Sequence, residues 1–299
     1  MTTIPGTPGE IFDIQSLKAN KSSSRNLFNI IMTGLSGLSI VIALIPLVLV
    51  LFYVIFKGAN RLDLDLFTKL PPPPGSAGGG IANAIMGTLI VVAIAAAIAV
   101  PIGVLCAIWL SEFGGDDTSI DEYVRFGVNI LAGVPSIIAG VFIYGLMVRP
   151  GRPGYSAVAG GVALAVLMLP TIIRTADEAL KIVPQDIRWA ALGVGASKYQ
   201  TVLKVVLPAA IPAILTGVTL AIARAAGETA PLIFTALFSP FWPNGITNPI
   251  ATLAVLVYNF ATLPFRPQQE LAWAAALILV LMVLITSIIA RFVTRQKTY

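Results

Sequence analysis

The stretch W-A-A-L-G-V-G-A-S-K-Y-Q-T-V-L-K-V-V-L-P at positions 189–208 is a polar interruption between two apolar halves of the chain. Ala190 and Ala191 predict a short helix whose small side chains let another surface come close. Gly195 predicts a joint, because glycine tolerates the backbone angles of a sharp helix-to-helix turn. A second helix follows, closes on Val205-x-Leu207-Pro208, and runs straight into the next apolar run. Pro208 is read as opening that run, since the first turn of a helix needs no donor there. The whole suits a helix lying across a membrane face and pushed from outside.

Working outward, 57% of the residues are apolar and 11% charged, a balance that excludes an ordinary soluble domain. Several apolar runs reach the roughly 20 residues that cross a hydrocarbon layer of about 30 Å. The expected class is an all-α polytopic membrane protein with six transmembrane helices. The net charge of +5 is assigned to loops that set orientation, not to nucleic-acid binding. Cys106 is the single cysteine and histidine is absent, so imidazole zinc sites and Ser-His or Cys-His triads are excluded. No G-x-x-x-x-G-K-[ST] motif occurs, so the chain cannot hydrolyse ATP by that route. No catalytic residue, metal ligand or cofactor is expected.

Taken in order, residues 1–26 form a basic cytoplasmic tail without a signal-cleavage site. The six spans are 27–56, 81–110, 123–147, 156–173, 208–229 and 270–292. The 57–80 segment, with Pro71 to Pro74 and Gly78 to Gly80, reads as an outer (periplasmic) spacer, stiff then loose. Pro101 falls inside the second span, whose Ala95, Ala96, Ala97 and Ala99 offer a close-packing face. The acidic stretch with Glu112, Asp116, Asp117, Asp121 and Glu122 reads as a solvated turn. Pro135 lies within the third span and Pro170 breaks the fourth near its inner end. The apolar part of 230–269, at 250–258, is too short to cross and is expected at the interface or re-entering. The core is thus 81–292, with a cytoplasmic coupling loop at 174–207 and a tail at 293–299. Lys18, Lys21, Arg25, Arg125, Lys181, Arg188, Lys198, Lys204, Arg291, Arg295 and Lys297 fall on one side, and Lys57, Arg61, Lys69, Arg149, Arg152 and Arg266 on the other. That bias predicts both termini and the 189–208 stretch in the cytoplasm.

Arg174 and Arg224 stand at or in spans, where a charge costs about 2.5–3.5 kcal/mol and so meets a partner or a watery path. Glu178 and Glu228 each follow four residues on, on the same helix face, though Glu178 is expected to reach water. For Arg224 two readings stand: an ion pair that neutralises itself, or a guanidinium that lines the path of an anion with Glu228 holding or gating it. The planar, always-charged fork suits a tetrahedral oxyanion better than an ammonium does.

The spacing of Ala190, Ala191, Gly195, Val205, Leu207 and Pro208 resembles the "EAA" coupling loop of ABC-importer permeases. Trp189 stands where that family usually carries Glu, which removes a charged contact and leaves the shape. G-G-G-I-A-N-A-I-M-G-T-L (78–89), L-A-G-V-P-S-I-I-A-G (131–140), L-P-T-I-I-R-T-A-D-E-A-L (169–180) and A-R-A-A-G-E-T-A-P-L (223–232) are similar to blocks of the phosphate-specific (Pst) importer permeases, of the PstA kind. The likeness covers nearly all the chain from Gly78 on. It implies a type I ABC importer permease (MetI-like) fold in a bacterial inner membrane, with inorganic phosphate as substrate. It places Arg174, Arg224 and Glu228 on the family's intramembrane charges. It also implies a paralogous PstC-type permease, two PstB-type ATPases that grip Arg188 to Ala196, and a PstS-type phosphate-binding protein. The alternatives are an importer for molybdate, sulfate or an amino acid, and a membrane scaffold that signals phosphate status.

Overall fold

The computed structural model describes residues 24–114 and 119–295. Asp116 and Asp117 of the acidic stretch, the first 23 residues and the last four lie outside that range. Among the described residues every regular element is helical. The chain divides into two compact units, 1–53 and 54–299. The first holds all but the last five residues of helix α1 (Ser24–Gly58), whose 35 residues span about 50 Å at 1.5 Å each. Leu35, Val41 and Leu47 turn outward from it on different faces.

The second unit opens with a short helix, α2 (Leu64–Thr68), capped by the Asp63 carboxylate, which accepts from the Leu66 amide at 2.8 Å. Four long helices follow: α3 (Ala82–Ile108), α6 (Ala157–Ile182), α9 (Leu207–Ala226) and α12 (Arg266–Arg295). Between α3 and α6 lie α4 (Ser119–Gly133) and α5 (Ser136–Ile143), bent against each other by 103°. Among the described residues five helices are long and apolar enough to cross a membrane, and the bent pair makes a sixth crossing if it is one broken span.

Small residues hold this unit together. Without water to drive association, membrane helices gain contact by letting backbones approach. A Cβ on Gly103 of α3 would lie 2.7 Å from Ile172 of α6, and one on Gly217 of α9 would lie 2.1 Å from the Thr175 hydroxyl of α6. Ala95 and Ala99, from the expected small face of α3, are fully buried in this core. A second apolar cluster joins α2 and α3 to α11 (Leu253–Ala261) and α12.

Several expectations change here. The third span is not one straight helix: Val134 and Pro135 interrupt it, because proline disfavours the helical conformation in the residue before it. Pro170 does not break the fourth span, since α6 continues through it to Ile182. The fifth helix stops at Ala226, before Thr229. The 57–80 segment is not a loose spacer. Gln268, buried on α12, donates to the Pro73 carbonyl at 3.0 Å and accepts from the Gly75 amide at 3.3 Å, and the Gly80 amide donates to the Leu70 carbonyl. The short apolar stretch at 250–258 leads through α11, which buries Leu253, Leu256 and Phe260 and whose Leu253 amide donates to Thr88 of α3 at 2.8 Å.

Candidate functional site

The 189–208 stretch folds as a helix, a glycine joint and a second helix. The first is α7 (Gln185–Gly193). Its end is closed by Gly195 at φ +90, a left-handed angle that glycine adopts without steric cost. The Gly195 amide donates to the Leu192 carbonyl and the Ala196 amide to the Ala191 carbonyl, which satisfies carbonyls the helix end would orphan. Ser197 then starts α8 (Lys198–Thr201) with a reciprocal cap: its hydroxyl accepts from the Gln200 amide, and the Gln200 side chain accepts from the Ser197 amide. From Lys198 the helix runs without a break to Ala226, through a widened π turn at Val202–Val206. Pro208 stands in the first turn of α9, as expected, although that helix follows the π turn without a break. The π turn just upstream rearranges the backbone bonds where proline supplies no donor.

α7 has no buried residue. Ala190, Gly195 and Pro208 are exposed, Ala191, Ala196, Val205 and Leu207 half-buried, and Trp189 is 65% exposed. Arg188 is the exception to the outward-facing pattern. Its guanidinium turns in and meets Glu112 at 2.8 Å, with both side chains nearly buried. The acidic stretch is thus not a simple solvated turn. Glu112 stands on a π turn (Trp109–Phe113) that prolongs α3, and Asp121 pairs with Arg125 at 3.0 Å. A cavity of about 370 Å³ lies beside α7, lined by Glu112, Lys181, Arg188, Trp189, Lys198 and Thr201 among others. Lys198 stands 5.4 Å over the Phe113 ring, within cation–π range.

The neighbouring ends of α4 and α6 carry a second charge cluster. Arg125 donates to Asp177 at 2.8 Å, to Asp121 and to the Leu110 carbonyl, while Lys181 reaches the same Asp177 oxygen at 2.7 Å. Arg174 donates to Asn129 of α4 at 2.6 Å. Glu178, four residues on, is exposed, and among the described residues no ion pair joins it to Arg174. Arg174, Arg125, Asn129 and Asp177 line one cavity of about 140 Å³. Sequence reasoning missed Asp177, Asn129 and Glu112 as partners. Asp177 had one visible signal: it follows Arg174 by three residues in an otherwise apolar helix.

Arg224 and Glu228 do come together, with Nε 3.6 Å from a carboxylate oxygen. They face Leu167, Met168 and Thr171, near the middle of α6. So α9 ends beside the midpoint of its neighbour, not at its end. After Gly227–Thr229 the chain resumes as α10 (Ala230–Thr235), which packs on α5 where Gly140 meets Pro231. A helix broken halfway across a bundle presents free backbone groups and a charge at the level where transporters bind their cargo. The Arg224 side chain is 67% exposed, and Glu228 is the ion-pair partner it has among the described residues, so its guanidinium keeps donors for a ligand or a neighbouring chain. Arg174 lies elsewhere, in the α4–α6 cavity, and does not share the small cavity of Arg224 and Glu228.

Residues 99–299 match the family described as "Binding-protein-dependent transport system inner membrane component". The chain is 40% identical over 282 residues to a protein of Yersinia pestis named phosphate transport system permease protein PstA, covering 94% of this chain and 95% of the relative. A protein of Mycobacterium tuberculosis named phosphate transport system permease protein PstA 1 is 35% identical over 280 residues, covering 91% of each. Among solved structures, a bacterial alginate ABC transporter aligns at TM-score 0.66 and 13% identity over 92% of this chain and 98% of that one. The MetNI methionine ABC transporter aligns at TM-score 0.60 and 20% identity over 73% and 96%. At such identities the likeness carries the fold: the MetI-like architecture of ABC-importer permeases.

Proposed function

We infer that this chain, which belongs to the family of binding-protein-dependent transport system inner membrane components, is the PstA-type permease subunit of an ATP-driven phosphate importer. It is a multi-pass membrane protein and a transport component. One observation carries the mechanism: Arg224, two-thirds exposed, sits at a helix break beside the middle of α6, held by a single loose contact to Glu228. A guanidinium so placed binds a tetrahedral oxyanion through several charge-assisted bonds at once. Glu228 keeps it oriented between passages and yields it to the anion.

In this reading both termini and the 185–208 stretch face the cytoplasm, as the distribution of basic residues favours. A separate ATPase pair grips the exposed face of α7, where Trp189, Ala190, Ala191, Gly195 and Ala196 offer a shaped surface without a carboxylate. A paralogous PstC-type permease completes the path, and a PstS-type binding protein delivers phosphate on the other side. ATP binding moves the lever, the path opens to that side, and hydrolysis resets it, so that access alternates around Arg224. Arg174, with Asn129 beside it, lies further along toward α7 and suits an inner stage of the same path.

The experiment is ATP-dependent uptake of labelled phosphate by the complete importer in proteoliposomes, with sulfate and molybdate as competitors. Uptake of phosphate with little competition supports the reading. Preferred uptake of sulfate or molybdate, or phosphate-dependent signalling that survives without a working ATPase, rejects it.

A further inference from the structure

We infer that Arg188 and Glu112 form a strut that carries movement of α7 into α3 and α6; this rests on the reading of α7 as an ATPase-driven lever. α7 buries no residue, and it packs on α8 and the π turn at Val202–Val206. Its polar fastening to α3 and α6 goes through Arg188. Nε and Nη2 donate to the two Glu112 oxygens at 3.4 and 2.8 Å, Nη2 also donates to the Leu180 carbonyl at 2.8 Å, and Nη1 donates to the Val183 carbonyl. One side chain thus joins three segments: the lever, the turn that prolongs α3, and the end of α6.

Each contact has a physical reason to hold. The Leu180 carbonyl, which also accepts from the Val183 amide at 3.2 Å, and the Val183 carbonyl lie at the C-terminal end of α6, the negative end of its dipole. The Arg188 and Glu112 side chains are 11% and 7% exposed, so neither charge finds enough water to replace the other. The planar fork reaches carboxylate and carbonyls together, which a lysine ammonium on one flexible stem does not reproduce.

The other way out of α7 differs. The chain from α7 to α8 turns through Gly195, at φ +90, where a Cβ would meet nothing within 4 Å. α7 also packs against α8 and the π turn that leads into α9. The lever therefore bears on α9 by packing across a glycine joint and on α3 and α6 through the Arg188 strut, so moving it loads both sides of the close contact between Thr175 of α6 and Gly217 of α9. Arg188 and Glu112 are positioning residues in this scheme, and neither touches the transported anion.

The test uses the complete importer in proteoliposomes, wild type, Glu112→Gln and Arg188→Lys, measuring bound ATPase, ATP hydrolysis and phosphate uptake. Loss of one charge-assisted bond in the strut is expected to lower phosphate moved per ATP by about tenfold, with the ATPase still bound and still hydrolysing. A purely structural role would instead lower the yield of complex and leave that ratio unchanged, which overturns the strut. Spin labels on Ile187→Cys of α7 and Leu105→Cys of α3, in a cysteine-free background, give a second readout. An α7–α3 distance that ATP leaves unchanged, and that broadens in Glu112→Gln or Arg188→Lys, supports the strut. A distance that changes with ATP while Arg188 and Glu112 are intact overturns it. Should Glu112→Gln fail to assemble, Arg188→Lys and the distances in the labelled parent carry the test. Absence of phosphate uptake in the wild type rejects the functional reading instead, and the label distances still decide the strut.

Discussion

Arg188 meets Glu112 at 2.8 Å with 11% and 7% of the side chains exposed, whereas Arg224 meets Glu228 at 3.6 Å with 67% and 17% exposed. The groups are the same and the environments are not. In the first pair the guanidinium is spent on carboxylate and carbonyls, and its partner comes from another helix. In the second the partner is four residues away on the same stretch, and most donors remain open. Burial turns an Arg–Glu pair into a fixed joint, because removing either charge strands the other. Exposure leaves a pair that costs little to part, which is what a site for a passing anion requires.

The sharpest way to break this contrast is through stability. Glu112→Ala is expected to destabilise the fold by about 3–5 kcal/mol, the cost of an unpaired buried charge, read as a lowered midpoint of thermal unfolding in detergent. Next comes transport. Arg224→Gln is expected to cut phosphate uptake by roughly 10- to 150-fold, the equivalent of a charge-assisted bond worth about 1.5–3 kcal/mol, while the complex remains isolable. Normal uptake by that variant would remove Arg224 from the path. Gly195→Ala should cost about 1–2 kcal/mol from its left-handed backbone alone, because its surroundings are open; the readout is a lower unfolding midpoint with looser coupling of hydrolysis to uptake. The smallest effect belongs to Glu228→Ala, at about 0–1 kcal/mol in stability, measured in the same unfolding assay. A loss there as large as that of Glu112→Ala would erase the distinction between the pairs.

What could be read in advance follows the range of each interaction. The apolar runs, the Gly195 joint and the Arg224–Glu228 spacing are local, so they survive as patterns in the chain. Glu112 could not be read that way. Its partner is 76 positions distant, and an acidic run looks solvated until another chain segment covers it. Asp177 and Asn129 fail for the same reason, being 52 and 45 positions from the arginines they meet. Arg188 was legible as part of the helix before Gly195, but not the direction in which its side chain turns.

Sequence alone therefore settled the class of protein, the helix–glycine–helix stretch and the charge pair at the end of α9, since each depends on composition or on neighbours within one or two turns. Only the tertiary structure decided that α9 ends beside the middle of α6, that α4 and α5 bend against each other by 103°, and that α7 is joined to α3 and α6 through Arg188. Those features arise where helices distant in the chain come to share one small-residue core, and burial there determines which charges are locked and which stay free.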